Sequence, residues 1–163
     1  MIILGVFGGT YWRDLKNCLN NKLMKDDYKK LPKHYWKSIP KKRLKSQFKD
    51  YDKNQNKYKV KTGTSYHFWC QKKWIKPTHP RGWYHWYCNY HYGKRTKYDD
   101  LEKQRWERFC GPKGRFRLWL ISQIIKKKGK WNDYEISPKL RQNCLEWGYE
   151  LTKKDFDEYK KSK

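Results

Sequence analysis

The chain has 163 residues, with 41 Lys and Arg against 16 Asp and Glu for a formal net charge of +25, and only 36% of it is hydrophobic. No run approaches the ~18 apolar residues that a membrane helix needs, so no membrane partner is expected. Disorder throughout is excluded by ten Trp, fourteen Tyr and six Phe, because each buried ring hides about 150–250 Å² and can replace the aliphatic side chains that a one-domain core here lacks.

The first nine residues form a short apolar run with no basic segment before it and no small-residue cleavage site after it. A buried strand fits better than a signal peptide. Over residues 5–13 that strand passes into a glycine turn at Gly8 and Gly9, without the G-K-[ST] of a phosphate loop. Residues 22–61 turn basic and polar, and Pro32 and Pro40 are placed to open short helices over 33–37 and 41–50.

The rest reads as helix after helix. Residues 64–75 begin with hydroxyl caps, space Phe68, Trp69 and Ile75 for a short amphipathic helix, and end before Pro77. Pro80 suits the first turn of a second helix, with Trp83, Tyr87 and Tyr90 on one face and Gly93 as its terminator. Asp99 with Glu102 has the spacing of a capping box for a helix through Cys110, with Trp106 and Phe109 inward. Residues 115–128 carry an apolar arc too wide for a surface helix, which makes this the central core helix, stopped at Gly129. Ser137 and Pro138 open a helix to Trp147, and Thr152 with Asp155 opens the last one. The fold expected is a single, mainly α domain spanning 1–163, with 1–61 irregular and rich in Gly and Lys, and 62–163 forming the helical core.

A polycation stocked with flat rings is suited to a polyanion. The field attracts phosphate at long range, and Trp, Tyr and Arg planes stack on bases at contact. The residues placed to form one basic face are Arg81, Lys94, Arg95, Arg105, Arg108, Lys113, Arg115 and Arg117, followed by the 126–128 lysine run, with Trp83 and Trp86 as stacking rings. Helix N-termini and glycine-flanked amides beside them add phosphate donors.

Other constellations are weaker. His67-x-x-Cys70 and Cys88-x-x-His91, seventeen residues apart, have the ligand types of a Cys2His2 zinc site. Their order is unusual, and in a His-rich stretch such a set arises readily by chance, so no cofactor is expected. A metal-dependent nuclease built on His79, His85, Asn89 and His91 lacks paired acids nearby, and no serine sits in the sharp glycine turn that a nucleophile needs. Residues 137–161 have the turn length of a helix-turn-helix, yet the second helix carries Asp155, Asp157 and Glu158, a poor complement to phosphate. Five cysteines, odd in number and without C-x-x-C, argue against a disulfide scaffold and for an intracellular reducing compartment: nucleus, cytoplasm or virion.

The succession G-V-F-G-G-T-Y-W-R at 5–13, Y-D at 51–52, N-K-Y-K-V-K-T-G-T-S at 56–65, P-R-G-W-Y-H-W-Y-C at 80–88, G-K-R at 93–95 and I-S-P-K-x-R-Q at 136–142 resembles a family of small, basic, Trp-rich uncharacterised proteins found in large DNA viruses, fungi and unicellular eukaryotes. The resemblance covers nearly the whole chain. It implies a viral or protist source and no mechanism; that pattern does not feature histidine at the places of His67, His85 or His91. The expected function is non-enzymatic binding of nucleic acid through backbone charge and stacking, with little sequence preference. The alternatives are a virion structural or minor capsid protein contacting acidic partners or packaged genome, and a metal-dependent nucleic-acid enzyme.

Overall fold

The computed structural model describes residues 6–44 and 51–162. The expected mainly α domain is what forms. The strand expected over the first nine residues falls partly outside the described residues; its described part is a turn, with Gly8 and Gly9 at positive φ. The turn's backbone is claimed by the 51–56 segment instead of a sheet: Gly8 N–H donates to Asn56 Oδ1 at 2.7 Å, and Asp52 N–H donates to the Gly8 carbonyl.

A small hairpin not anticipated from the pattern follows, with β1 (Leu15–Lys16) antiparallel to β2 (Leu23–Met24). Two residues per strand are too few to show a period. The basic segment then holds 3-10 turns at Asp27–Lys30, Lys33–Tyr35 and Lys53–Gln55, and a single helical turn, α1 (Lys41–Leu44). The remainder of the helix expected over 41–50 lies outside the described residues.

The helical half comprises α2 (Tyr66–Gln71), α3 (Trp83–His91), α4 (Asp99–Cys110), α5 (Arg115–Lys126), α6 (Pro138–Glu146) and α7 (Lys153–Lys161). Ser65 and Thr152 cap α2 and α7 through their hydroxyls, as their positions suggest. Three local expectations are corrected. α3 begins after Gly82, not at Pro80. Asp99 is a first-turn residue whose carboxylate accepts from the Thr96 N–H and hydroxyl, and Glu102 is buried in the core rather than capping. Ser137 adopts a left-handed conformation and offers no side-chain cap.

Two hydrophobic clusters make the core. One is aromatic, around Tyr11, Trp12, Tyr28, Trp83, Tyr84 and Trp86; the other is aliphatic, around Leu120, Ile121, Ile124, Leu140, Cys144 and Phe156. Trp106 and Trp147 pack against both and join them into one body. Inside the aromatic cluster sits Arg81, 1% exposed. It donates to Asp27 Oδ2 at 3.0 Å and to the carbonyls of Tyr11, Arg13 and Met24, with its guanidinium over the Trp12 ring. Burial would raise the Asp27 carboxyl, but hydrogen bonds from Arg81 and Lys30 hold it below its ordinary range.

Cys18 and Cys70 are joined by a disulfide that ties the hairpin turn to α2, which corrects the expectation of five reduced thiols. The two are 52 residues apart, so only tertiary folding brings them together. Among the described residues no helix is long and apolar enough to cross a membrane.

Candidate functional site

The α4–α5 turn sets the geometry of a ring-lined cavity on the surface. A Cβ at Gly114 would lie 2.6 Å from the backbone of Phe109 and Cys110, so only glycine lets the chain reverse this tightly. The reversal places Arg115 and Phe116 beside Arg108 and Phe109. Phe116 stacks on Phe109 (4.9 Å, 8°), and Phe109 stacks on Trp147 at the end of α6 (4.4 Å, 15°). The Arg115 guanidinium lies 4.4 Å from the Phe109 ring centre. Rings in this order form a rigid wall, because each is held on a face by its neighbour.

That wall, together with Phe7, Trp69 and Trp74, lines a cavity of about 400 Å³. Trp69 is oriented by its indole N–H, which donates to Thr64 Oγ1 at 2.7 Å. A smaller extension of about 270 Å³ shares Phe7, Trp69 and Glu146 with it and runs past Tyr51 and Lys61. Phe116 and Asn143 also border a separate, open depression lined by Trp119, Leu140 and Lys139.

Arg105, Arg108 and Arg115 line the main cavity from two helices. Arg105 is held from behind: its Nη1 is 2.7 Å from Glu102 Oε2, while the other Glu102 oxygen is 3.2 Å from His79 Nε2. Glu102 is fully buried, and its own carbonyl accepts from Trp83 Nε1. The Arg105 guanidinium sits 5.5 Å from both the Trp74 and Trp147 ring centres. Arg108 is exposed at the rim.

Among the described residues, Glu146 is the sole acid lining either space. Thr62 Oγ1 donates to its Oε1 at 2.7 Å. Burial pushes its carboxyl up to about 7 in spite of that hydrogen bond, and no ion pair to it is made among the described residues. Gly63, at φ +75°, faces it so closely that a Cβ would stand 3.0 Å from Oε2.

The residues expected on one basic face are therefore divided. Arg105, Arg108 and Arg115 converge on the cavity, and Lys113 is exposed in the adjoining turn. Arg81 also borders the cavity but is 1% exposed and occupied by its core partners, and Arg117 is buried under Tyr149 with its Nη2 2.5 Å from Asp155, pinning α5 to α7. Lys94 and Arg95 lie beyond the far end of α3, roughly 13 Å of helix from its cavity end, where Arg95 stacks on Tyr90. Trp83 backs the cavity but is 8% exposed, and Trp86 is 4% exposed with its N–H on Asp99. Neither offers a free face.

The His67, Cys70, Cys88, His91 set is not assembled, since Cys70 is bonded to Cys18. His67 and His91 are exposed, while burial raises the Cys88 thiol to about 11. Among the described residues no group of three or more His, Cys, Asp or Glu is placed to hold a metal ion. His85 is buried against Trp12, and that burial pushes its ring down to about 3.

Glu146, Trp69, Trp74 and Phe109 were not singled out from the sequence as site residues. One local signal was present: a glutamate as the last residue of a helix opposes the helix dipole, and such breaches of local preference concentrate at functional sites. The chain matches no family model, no curated protein and no solved structure with which it was compared.

Proposed function

We propose that this protein binds single-stranded nucleic acid, seating a base in the ring-walled cavity and holding neighbouring phosphates on Arg105, Arg108 and Arg115. The observation that carries the reading is the convergence of three arginines from two helices on an aromatic cavity, in a chain of net charge +25. Arginine forks two hydrogen bonds to a phosphate, and the charge around it draws the polyanion in. A cavity of about 400 Å³ takes a base only when that base is free of its stack, which favours single strands over a duplex. The exposed Trp119, beside Phe116 in the neighbouring depression, offers a second ring to the strand.

The reading is one of binding rather than catalysis. The described lining holds one carboxylate and no histidine with which it could share a metal or relay a proton. An acidic protein partner, such as a capsid surface, would engage the scattered lysines and would need no cavity.

The test is fluorescence anisotropy with a labelled 12-nucleotide strand and the matching duplex between 50 and 300 mM salt. The strand is expected to bind more tightly, with affinity falling by a log–log slope of about 0.7 per phosphate contacted. No binding at 50 mM, or a duplex bound as well as the strand, refutes the proposal.

A further inference from the structure

The ring-lined cavity and the open depression beside it share an edge, made by Phe116 and Asn143. Phe116 and Trp119 are three residues apart on α5 and so lie on one face of it. Their ring centres are 6.2 Å apart, with the planes inclined by 47°. Trp119 is 53% exposed, while Leu120 and Ile121 beside it in the chain are buried, so its ring has free area to offer a partner. The depression, of about 570 Å³, is lined by the apolar Val60, Pro138 and Leu140 together with Lys139, and by no Asp or Glu among the described residues. A cation and a free amide stand at the shared edge. The exposed Arg115 has its guanidinium 4.4 Å from the Phe109 ring centre and 5.2 Å from that of Phe116. The Asn143 side chain makes no hydrogen bond among the described residues, which leaves its amide open to a ligand.

An occupant that crosses this edge needs a flat group on each side and a negative charge between them. Two successive nucleotides of a single strand have that form, as base, linking phosphate and base. The edge keeps the two bases apart, which a single strand permits and a stacked duplex resists. A second copy of this chain is a poor occupant, since each copy carries a net charge of +25 and repels the other. An apolar segment would leave Arg115 and Lys139 without a counter-charge.

We infer that the cavity and the depression form one two-nucleotide site: one base enters the cavity, the next stacks on Trp119, Arg115 takes the phosphate that links them, and Asn143 hydrogen-bonds at the same step. The inference rests on the single-strand reading and deepens it, giving the site a length and making Trp119 its second platform. Stacking accepts any base, because every base has a π-face.

The experiment is competition against the labelled 12-nucleotide strand with three unlabelled molecules: the thymidine dinucleotide pTpT, and its two forms in which one or the other residue is abasic. All three carry the same phosphates, so charge cancels in the comparison. If the cavity alone takes a base, either abasic form still supplies one and competes as well as pTpT. With two base sites, pTpT is expected to compete on the order of tenfold better than each abasic form. Trp119→Ala is expected to bring that advantage below twofold, and Trp119→Phe, which restores a ring, to keep most of it. The comparison of the three molecules uses the natural protein and does not depend on a variant folding. When the labelled strand binds but pTpT lies within twofold of both abasic forms, the inference is overturned and strand binding stands; an advantage that Trp119→Ala leaves unchanged overturns it equally. A labelled strand that does not bind at 50 mM salt removes the broader reading and this one with it. If Trp119→Ala converts a dimer of the free protein to a monomer in sedimentation while the pTpT advantage persists, the depression belongs to a second copy, and the inference is likewise overturned.

Discussion

Removing the two rim arginines separates a defined binding face from charge in general. Arg105 is a poor choice for deletion, because Glu102 is fully buried and would be left with His79 as its remaining side-chain partner; breaking a buried pair in that way costs about 3–5 kcal/mol of stability. Neither Arg108 nor Arg115 makes an ion pair among the described residues, and both are exposed, so Arg108→Ala with Arg115→Ala leaves the fold in place. If each contacts one phosphate of a single strand, the log–log salt slope should fall by about 1.4, from 0.7 for each contact. At 0.1 M salt each contact contributes about 0.7 log units through counterion release, so the double variant should bind roughly 25-fold more weakly. The control is Lys22→Ala with Lys25→Ala, which removes equal charge from exposed positions outside the cavity lining. The assay is anisotropy titration of the 12-nucleotide strand at five salt concentrations, with circular dichroism to confirm folding. Equal losses from the two pairs, or an unchanged slope for the arginine pair, would show that only total charge matters.

Three further outcomes are expected. Trp74, 40% exposed beside Arg105, should on Trp74→Ala weaken strand binding by about 1–3 kcal/mol if a base stacks there, with the salt slope unchanged in the same titration. Glu146 has a folded carboxyl raised to about 7, so it keeps a proton that the unfolded chain has released between about pH 4.5 and 7, and its contribution to stability is lost as pH rises through that window. Glu146→Gln should therefore gain about 1–3 kcal/mol over the natural chain between pH 4.5 and 8 in urea melts; His85, held low at about 3, pulls the opposite way below its ordinary range in both proteins and cancels in the difference. A gain that does not grow with pH refutes the assignment. Reduction of Cys18–Cys70, which closes a loop spanning 52 positions, should cost up to about 4 kcal/mol, read as a fall in melting temperature on adding dithiothreitol.

The helical half was legible in the chain because its signals are local. Proline at the head of α6, the Thr152 hydroxyl before α7 and the wide apolar arc of α5 each act within a few residues, and each element formed nearly where the pattern put it. The proposal of a polyanion partner rests on charge and ring content, which are also read from the chain alone. Which cations are free to meet one was not legible, since Arg81 and Arg117 look the same in sequence as Arg108 and Arg115. Their difference lies in partners far along the chain, Asp27 at 54 residues from Arg81 and Asp155 on another helix from Arg117. The same holds for the Cys18–Cys70 bond and for Glu102, whose spacing from Asp99 imitates a cap while its carboxylate is held by His79, 23 residues away. The cavity is the clearest case. Its wall joins the N-terminal turn, the Gly63 segment and five helices, and long-range packing alone brings Glu146 against Gly63. Composition determined the charge and the ring content, and tertiary contact decided which of those side chains remain exposed, because burial and pairing withdraw a charge from solvent while leaving no trace in local sequence.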